Sequence, residues 1–397
     1  MDVRQVLEEL VRIPEQPQPV ASVFLNTWWA NEHQREAVRV FVNENVRRAV
    51  KALPNEEARQ ALAETFQPIE SYVAAMIRTQ LDENAAGVAL FSSKPLGLFR
   101  VVAIGVPFQP MEFHVEPRPA VVPLLRTLTG VPDVIVAAVD SEGGTILEAD
   151  GSVTDQEARI ERPFPGFHSR GGWRQRRIGR HLGELRERNL RAVAEPLTRI
   201  SEAHPRAFLV LAGQHFILTA FESLLPERVR GRIVARLPFP SAATEGELRL
   251  ELMRSASAEV QQAMLARRQQ QRDEALGEAA RGGLGIVGVQ EAFSALTEGR
   301  AHRVLLDSGF EGSGFACQQC RALMDGQATA CGYCGGAPRP VSLPDELVRR
   351  ALMADAEIAF LPTGVTVPDG RGVAVQLRHR GTSPAVAQVG APPAAMS

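Results

Sequence analysis

The pattern of hydrophobic and polar positions predicts three structural parts along the chain. Over residues 1–130, VASVFLNT, GVALFSS and LFRVVAIGV have the apolar character of strands, and the stretches 31–50 and 56–81 have the mixed pattern of helices. We therefore predict an α+β domain there. Four prolines in the segment VEPRPAVVPLLRTLTGVP predict irregular structure over residues 115–132 and a boundary near residue 130.

In the second part, from Asp133, strand and helix patterns alternate. The strand DVIVAAVD is followed by a turn, the strand TILEA, a long helix from about Gln175, the strand AFLVLAG, a helix and the strand RIVARL. This alternation predicts an α/β domain over residues 131–282, with its sheet covered by helices. A polar helix over residues 244–280 ends at GGLG, which predicts the second boundary.

The third part, residues 283–380, repeats the alternation and contains all four cysteines within a loop at residues 315–337. It predicts an α/β sandwich with an inserted metal-binding loop. The Ala/Pro/Gly-rich tail, residues 381–397, has no periodicity, so we expect it to be disordered. The fold class is thus a multidomain combination of α+β and α/β parts.

Composition is typical of a globular protein with several cores: the 397 residues are 45% hydrophobic and 23% charged. No apolar stretch reaches the roughly 18 residues of a membrane span, and the start has no secretory signal pattern. We expect a cytoplasmic protein with no membrane or DNA partner. The net charge of −2 excludes a chain that is polybasic throughout, but it can hide a local basic segment.

The cysteines form two CxxC pairs, Cys317 with Cys320 and Cys331 with Cys334, separated by ten residues. Four thiolates at this spacing surround one tetrahedral ion, and Zn²⁺ is the ordinary choice for a closed, structural site of four sulfurs. Free buried thiols, two redox pairs or an iron–sulfur cluster are the alternatives. A zinc site of this kind names no function, because it can staple an insertion or form a contact surface.

The most unusual segment is basic and rich in glycine. Residues 168–181 contain five arginines and no acidic residue, a local charge of +5, and a helix follows Gly171 and Gly172 from about Gln175. Glycines permit close backbone approach, and a helix N-terminus favours anions, so the segment predicts contact with an RNA backbone. The predicted RNA-binding residues are Arg170, Trp173, Arg174, Arg176, Arg177 and Arg180.

A solvated arginine-rich loop is the alternative interpretation of this segment. Trp173 could stack on a base or pin the loop to its own domain. His168 and His181 have no acid or thiol at catalytic spacing, which argues against catalytic bases there.

The layout resembles the archaeal and eukaryotic class I peptide chain release factors, and most closely their bacterial relatives, over roughly residues 20–380. The motifs that carry the resemblance are GGWRQRR in the middle part, VGVQEAFSALTEGRAHRVLLDSG at the start of the third, and CQQC with CGYC after it. It implies an RNase H-like middle domain and a zinc ribbon inserted into a C-terminal α/β/α sandwich.

In that family a Gly-Gly-Gln loop enters the peptidyl-transferase centre and places water against the ester that joins peptide to tRNA. The resemblance assigns Gly171 and Gly172 to the glycines and Gln175 to the glutamine, as the catalytic residues. It implies rRNA and peptidyl-tRNA as partners, with a translational GTPase contacting the third domain.

The sequence departs from the family in two ways. Trp173 and Arg174 separate the glycines from Gln175, although the Vms-type factors also have an intervening residue. The Asn-Ile-Lys-Ser and Tyr-x-Cys motifs for stop codons are absent. We therefore predict stop-codon-independent hydrolysis of peptidyl-tRNA on stalled ribosomes. The alternatives are a non-catalytic A-site-binding rescue or hibernation factor, as Pelota and Balon are, and a nuclease or tRNA-directed role for the basic segment.

Overall fold

The computed structural model describes residues 3–29, 31–79, 85–149, 156–161, 174–238, 245–324, 329–332 and 334–380. The chain divides into two compact units, Met1–Arg268 and Gln269–Ser397. The finer division at residues 130 and 282 stays a prediction. The expected disorder of residues 381–397 concerns a segment outside the described residues. No helix in the described part of the chain combines the length and apolar character needed to cross a bilayer.

The first sheet of the N-terminal unit is antiparallel, with the strand order β3-β2-β1-β4. Its strands are β1 (Val20–Asn26), β2 (Gly87–Ser93), β3 (Leu98–Ile104) and β4 (Glu112–Glu116). Three helices precede β2 in the chain: α1 (Val3–Arg12), α2 (Glu32–Lys51) and α3 (Glu56–Thr79). Alternate apolar residues of β1 and β2 pack against one side of α2 and α3, which confirms the α+β prediction.

The prediction of irregular structure over residues 115–132 is wrong. The segment includes the end of β4 and a helix, α4 (Val122–Thr129). Pro123 lies in the first turn of α4, where the N–H that proline lacks has no intrahelical partner to lose. The helix ends at Gly130, whose backbone N–H donates to the carbonyl oxygen of Arg126 at 3.1 Å.

The second sheet of this unit has the strand order β7-β6-β5-β8-β9. Its strands are β5 (Val134–Val139), β6 (Gly143–Ala149), β7 (Gln156–Glu161), β8 (Phe208–Gly213) and β9 (Ile233–Leu237). The first three form an antiparallel meander, and β8 and β9 continue the sheet parallel to β5. This is the strand arrangement of an RNase H-like domain, as the resemblance implies.

Helices cover both faces of the second sheet, as the alternating pattern predicts. They are α5 (Arg174–Ala203), α6 (His215–Leu224), α7 (Glu227–Arg230) and α8 (Glu245–Ala280). Helices α5, α6 and α7 pack on one face through buried residues such as Val193, Phe221 and Val229. Ala256, Val260 and Met264 of α8 pack on the other face.

Helix α5 lies unusually close to β6. A Cβ atom on Gly144 would meet Val193 Cγ1 of α5 at 3.1 Å and the carbonyl oxygen of Ala138 at 2.7 Å, so the contact requires glycine. Leu190, Val193 and Leu197 are fully buried along the inner side of α5. This packing fixes the axis of the helix that begins at Arg174, two residues after Gly172.

The C-terminal unit contains two sheets. The larger, with the order β10-β16-β11-β15, consists of β10 (Gly285–Val287), β11 (Ala301–Asp307), β15 (Glu357–Leu361) and β16 (Val373–Leu377). The smaller, with the order β13-β12-β14, consists of β12 (Ser313–Cys317), β13 (Leu323–Met324) and β14 (Pro338–Ser342). The small sheet is the predicted insertion, and it carries the first cysteine pair at the end of β12.

Helices complete the sandwich of the C-terminal unit. Ala275, near the end of α8, packs with Leu305, Ala359 and Ala374 of the larger sheet. Helices α9 (Val289–Thr297) and α10 (Leu343–Met353) contact strands of the same sheet, and a 3-10 turn at Pro368–Gly370 precedes β16. This arrangement is the predicted α/β sandwich with an inserted ribbon.

Candidate metal centre

The fold brings the four cysteines of the small sheet together. Cys317 is the last residue of β12 and Cys320 follows that strand, whereas Cys331 and Cys334 precede β14. All four Sγ atoms lie within 4.8 Å of one another. The closest pairs join the two motifs, with Cys317 Sγ 3.3 Å from Cys334 Sγ and Cys320 Sγ 3.6 Å from Cys331 Sγ.

These distances fit a single four-coordinate ion. Metal–sulfur bonds of about 2.3 Å in a tetrahedron place neighbouring sulfurs about 3.8 Å apart. Four sulfurs fill a tetrahedral coordination shell, and among the residues described this is the one group of three or more metal-type ligands. The site is thus suited to a structural ion.

Each CxxC pair forms its own backbone turn, and the two turns are of the same type. The N–H of Arg321 donates to the carbonyl oxygen of Cys317 at 3.0 Å, and the N–H of Gly335 donates to that of Cys331 at 2.8 Å. Arg321 and Gly335 each follow the second cysteine of their pair, and both have positive φ, 59° and 73°. Glycine adopts this conformation freely, whereas a residue such as Arg321 pays about 1 kcal/mol for it.

Backbone groups surround the sulfur of Cys317. The N–H of Gln319 donates to its Sγ at 3.4 Å. A Cβ atom on Gly336 would lie 2.7 Å from the same sulfur, and the carbonyl oxygen of Gly336 accepts from the N–H of Cys331 at 2.9 Å. Glycine at position 336 therefore leaves room for the sulfur of Cys317, and its carbonyl oxygen closes the loop that begins at Cys331.

The thiols of the cluster have unequal acidity. The backbone N–H of Cys320, with that of Gln319, lowers the pKa of Cys317 to about 6. The backbone N–H of Ala322 also acts to lower the pKa of Cys320, but the neighbouring sulfurs, first that of Cys334, raise it to about 12. Four thiolates this close need a cation between them, because each added negative charge disfavours the next.

The structure brings together the four predicted metal ligands but does not test the other predicted site residues. Arg170, Gly171, Gly172 and Trp173 lie outside the described residues. Arg174, Gln175, Arg176, Arg177 and Arg180 lie in the first two turns of α5, and their side chains are also outside the described part. Their catalytic and RNA-binding roles stay predictions.

One residue beside the cluster is missed by sequence reasoning. Arg350, on α10, donates from Nη2 to the carbonyl oxygen of Arg321, the left-handed residue of the first turn. The sequence shows only that Glu346 and Arg350 are four apart and can pair on one helix face. It holds no signal for a contact between positions 321 and 350, which tertiary packing decides.

Comparison with known proteins finds a family model that matches part of the chain. Residues 119–261 match the profile of "Bacterial archaeo-eukaryotic release factor family 10". The matched range contains α4, the second sheet, α5 and the basic Gly-Gly segment. No match was found among curated proteins.

Solved structures resemble the chain at low identity. An archaeal translation termination factor, aRF1, is 14% identical over 94% of this chain and 98% of its own, with a TM-score of 0.25. Pelota from Archaeoglobus fulgidus is 15% identical over 74% of this chain and 79% of its own, with a TM-score of 0.30. Dom34 from S. cerevisiae is 8% identical over 74% and 81%, with a TM-score of 0.39.

The family assignment accordingly rests on the matched segment and on the motifs in it. GGWRQRR lies inside residues 119–261, directly before and within the start of α5. Residues 119–261 are thus similar to the bacterial archaeo-eukaryotic release factors of family 10.

Proposed function

We propose that the protein binds stalled ribosomes and hydrolyses the ester of peptidyl-tRNA without reading a stop codon. The observation that supports this most is that the release-factor match spans the basic Gly-Gly segment and the helix that follows it. The absence of stop-codon motifs from the sequence accounts for the codon-independent part of the proposal.

The chemistry requires little covalent help from the protein. The ester carbonyl is already activated, so holding a water molecule in line with it removes much of the barrier. Gly171 and Gly172 let the backbone approach the tRNA 3′ end closely, and the neutral amide of Gln175 orients the water without losing a proton. Water adds to the carbonyl carbon, the ester C–O bond breaks, and the tRNA 3′ oxygen leaves with a proton.

The proposed contact with RNA depends on where the arginines lie in the chain and not on the net charge of the whole chain. Arg170 precedes the glycines, and the other four arginines of residues 168–181 belong to the first two turns of α5, where the partial positive charge of a helix N-terminus adds to theirs. Each phosphate they neutralise releases counterions, so binding weakens steeply as salt rises. The proposed partners are rRNA and peptidyl-tRNA, with a translational GTPase as a further partner of the C-terminal unit.

We propose Zn²⁺ as the ion of the cysteine cluster, held by Cys317, Cys320, Cys331 and Cys334. The ion supplies four bonds that cross-link the two turns, and it takes no part in hydrolysis. Its role is to hold the small sheet of the C-terminal unit in one conformation.

A non-catalytic A-site-binding rescue or hibernation factor is the second candidate. It is favoured by the two residues, Trp173 and Arg174, that separate the glycines from Gln175, and by the start of α5 at Arg174. Gln175 therefore has a helical backbone and not that of a loop. The two candidates share ribosome binding and differ in peptide release.

Co-sedimentation with ribosomes at physiological salt tests ribosome binding, which the two candidate functions share. We expect the wild type to pellet with ribosomes, and a variant with Arg174, Arg176 and Arg177 changed to Gln to pellet less and with a weaker salt dependence. Arg228→Gln is the matched control. Arg228 is an exposed residue of α7 that pairs with Glu202, near the C-terminal end of α5 and not near its start. A wild type that stays in the supernatant would contradict both candidates.

A further inference from the structure

The side chain of Arg350 is enclosed at the meeting point of α9, α10 and the first cysteine turn. Only 13% of it is exposed. Its Nη1 donates to Thr297 Oγ1 at 3.1 Å, and its guanidinium carbon lies 4.6 Å from the centre of the Phe293 ring, both on α9. Its Nη2 also reaches the carbonyl oxygen of Arg321.

That carbonyl belongs to the turn that shapes the metal site. The N–H of Arg321 closes the turn on the carbonyl of Cys317, while its own carbonyl accepts from Arg350. Arg321 has the left-handed conformation that Gly335 provides in the second turn. Without a glycine, the first turn depends on outside contacts to hold this conformation.

Charge pairing fixes the guanidinium in place. Glu346, one turn earlier on α10 and 4% exposed, lies 3.3 Å from Arg350 and 3.8 Å from Arg339 of β14. A buried carboxylate between two arginines holds each in one orientation, because leaving either charge unpaired in the interior is costly. Arg350 is therefore a fixed donor and not a mobile surface side chain.

We propose that Arg350 is a positioning residue of the metal centre: it holds the first CxxC turn in its ligating form and joins the ion to helices α9 and α10. This inference rests on the metal site under the proposed function. Metal binding and the packing of α9 and α10 then stabilise each other, so that losing either one destabilises the other. The small sheet with its ion therefore stabilises the C-terminal unit and does not act as an independent part of it.

The chain offers a matched control for this role. Arg378 Nη2 donates at 2.6 Å to the carbonyl oxygen of Asp355, another non-glycine residue with positive φ, 49°. That bond is of the same kind, lies just after the end of α10, and has its acceptor in neither cysteine turn. Replacing Arg378 with Met removes an equivalent hydrogen bond from the same unit without touching the metal turn.

The experiment measures metal affinity in the full chain. Co²⁺ is titrated into reduced, metal-free protein and followed by its thiolate absorption, and Zn²⁺ affinity is then found by competition with a chromophoric chelator. We expect Arg350→Met to weaken both affinities about 10- to 100-fold, the usual effect of losing a partner that orients ligands. We expect Arg378→Met to leave them unchanged and Arg350→Lys to restore part of the loss.

A second variant protects the test against a folding defect. In the Arg350→Met background, Arg321→Gly should recover part of the affinity, because glycine adopts positive φ without outside support. Equal losses in Arg350→Met and Arg378→Met, or no loss in either, would overturn the inference while leaving the metal site intact. A wild type that binds neither ion would instead overturn the metal site itself.

Discussion

The side-chain amide of Asn189 donates to the backbone carbonyl oxygen of Ser141 at 3.0 Å, which ties α5 to the turn between β5 and β6. Asn189 is 2% exposed and lies among the apolar residues of the inner side of α5. Gln175 lies fourteen positions earlier on the same helix, about 21 Å away at 1.5 Å per residue. The hydrogen bond therefore anchors the middle of the helix in whose first turn Gln175 lies.

Replacing Asn189 with Leu should lower the free energy of unfolding by about 1–3 kcal/mol, because the carbonyl of Ser141 loses its buried donor. Chemical denaturation measures the change. Ser141→Ala is the control: it keeps the carbonyl and should keep the stability. If both variants unfold at the same denaturant concentration as the wild type, the bond does not hold α5.

The stability of the N-terminal unit should fall at alkaline pH through His114. On β4, its ring pairs with Glu112 at 3.0 Å and Glu116 at 3.4 Å. Burial acts to lower the pKa of His114, but the two carboxylates outweigh it and raise the pKa to about 9. Since this lies above the unfolded value of about 6.5, the stabilisation is complete below pH 6.5 and is lost as pH rises through 9.

Urea unfolding of the wild type and His114→Gln between pH 6 and pH 10 measures this effect. The wild type should be more stable by about 2 kcal/mol at pH 6, with the difference shrinking between pH 6.5 and pH 9 and nearly gone above pH 9. A difference that stays constant over this range would show that the charge of His114 makes no contribution.

Removing the metal should loosen the C-terminal unit. Purified protein should contain about one zinc per chain, and a chelator should lower the unfolding temperature because the ion binds only the folded turns. Calorimetry with and without added Zn²⁺ measures the shift. A variant with Cys320 and Cys334 changed to Ser should show no shift on chelation, and four titratable thiols without bound metal in the wild type would refute the site.

Gly336→Ala should weaken metal binding about tenfold, because the new Cβ would crowd the sulfur of Cys317 from 2.7 Å. Gly332→Ala is the matched control, since nothing lies within 4 Å of a Cβ at that position. Chelator competition on both variants compares them. Equal metal affinities in the two variants would mean that the cysteine turns accommodate the added methyl group without weakening metal binding.

The elements of the second sheet could be predicted because their strands are buried apolar runs separated by long helical patterns. Helix α5, for example, was expected from about Gln175 and begins at Arg174. The sequence pattern does not predict helix α4, because proline usually breaks a helix, whereas Pro123 lies in the first turn, where proline is tolerated. Strand β4 alternates charged residues at positions 112, 114 and 116 with Phe113 and Val115, but it is only five residues long and its end lies in the segment for which the prolines predict irregular structure.

The candidate sites also differ in whether local sequence or tertiary packing determines them. The cysteine cluster could be predicted because both ligands of each pair are three residues apart, so local spacing carries the chemistry. Arg350 could not, because its contact with Arg321 joins residues 29 positions apart through the packing of α10 on the small sheet. The role proposed for Gln175 rests on the resemblance and on the match of residues 119–261.

The measurement that tests the central claim most directly is single-turnover peptide release. Ribosomes stalled on a message without a stop codon and carrying labelled peptidyl-tRNA are mixed with the wild type, Gln175→Ala, or Gln261→Ala, which changes an exposed glutamine of α8. We expect release by the wild type and Gln261→Ala and a loss of at least tenfold in Gln175→Ala, with equal ribosome binding by all three. Equal release by the wild type and Gln175→Ala, or no release by a wild type that binds the ribosome, would contradict the account.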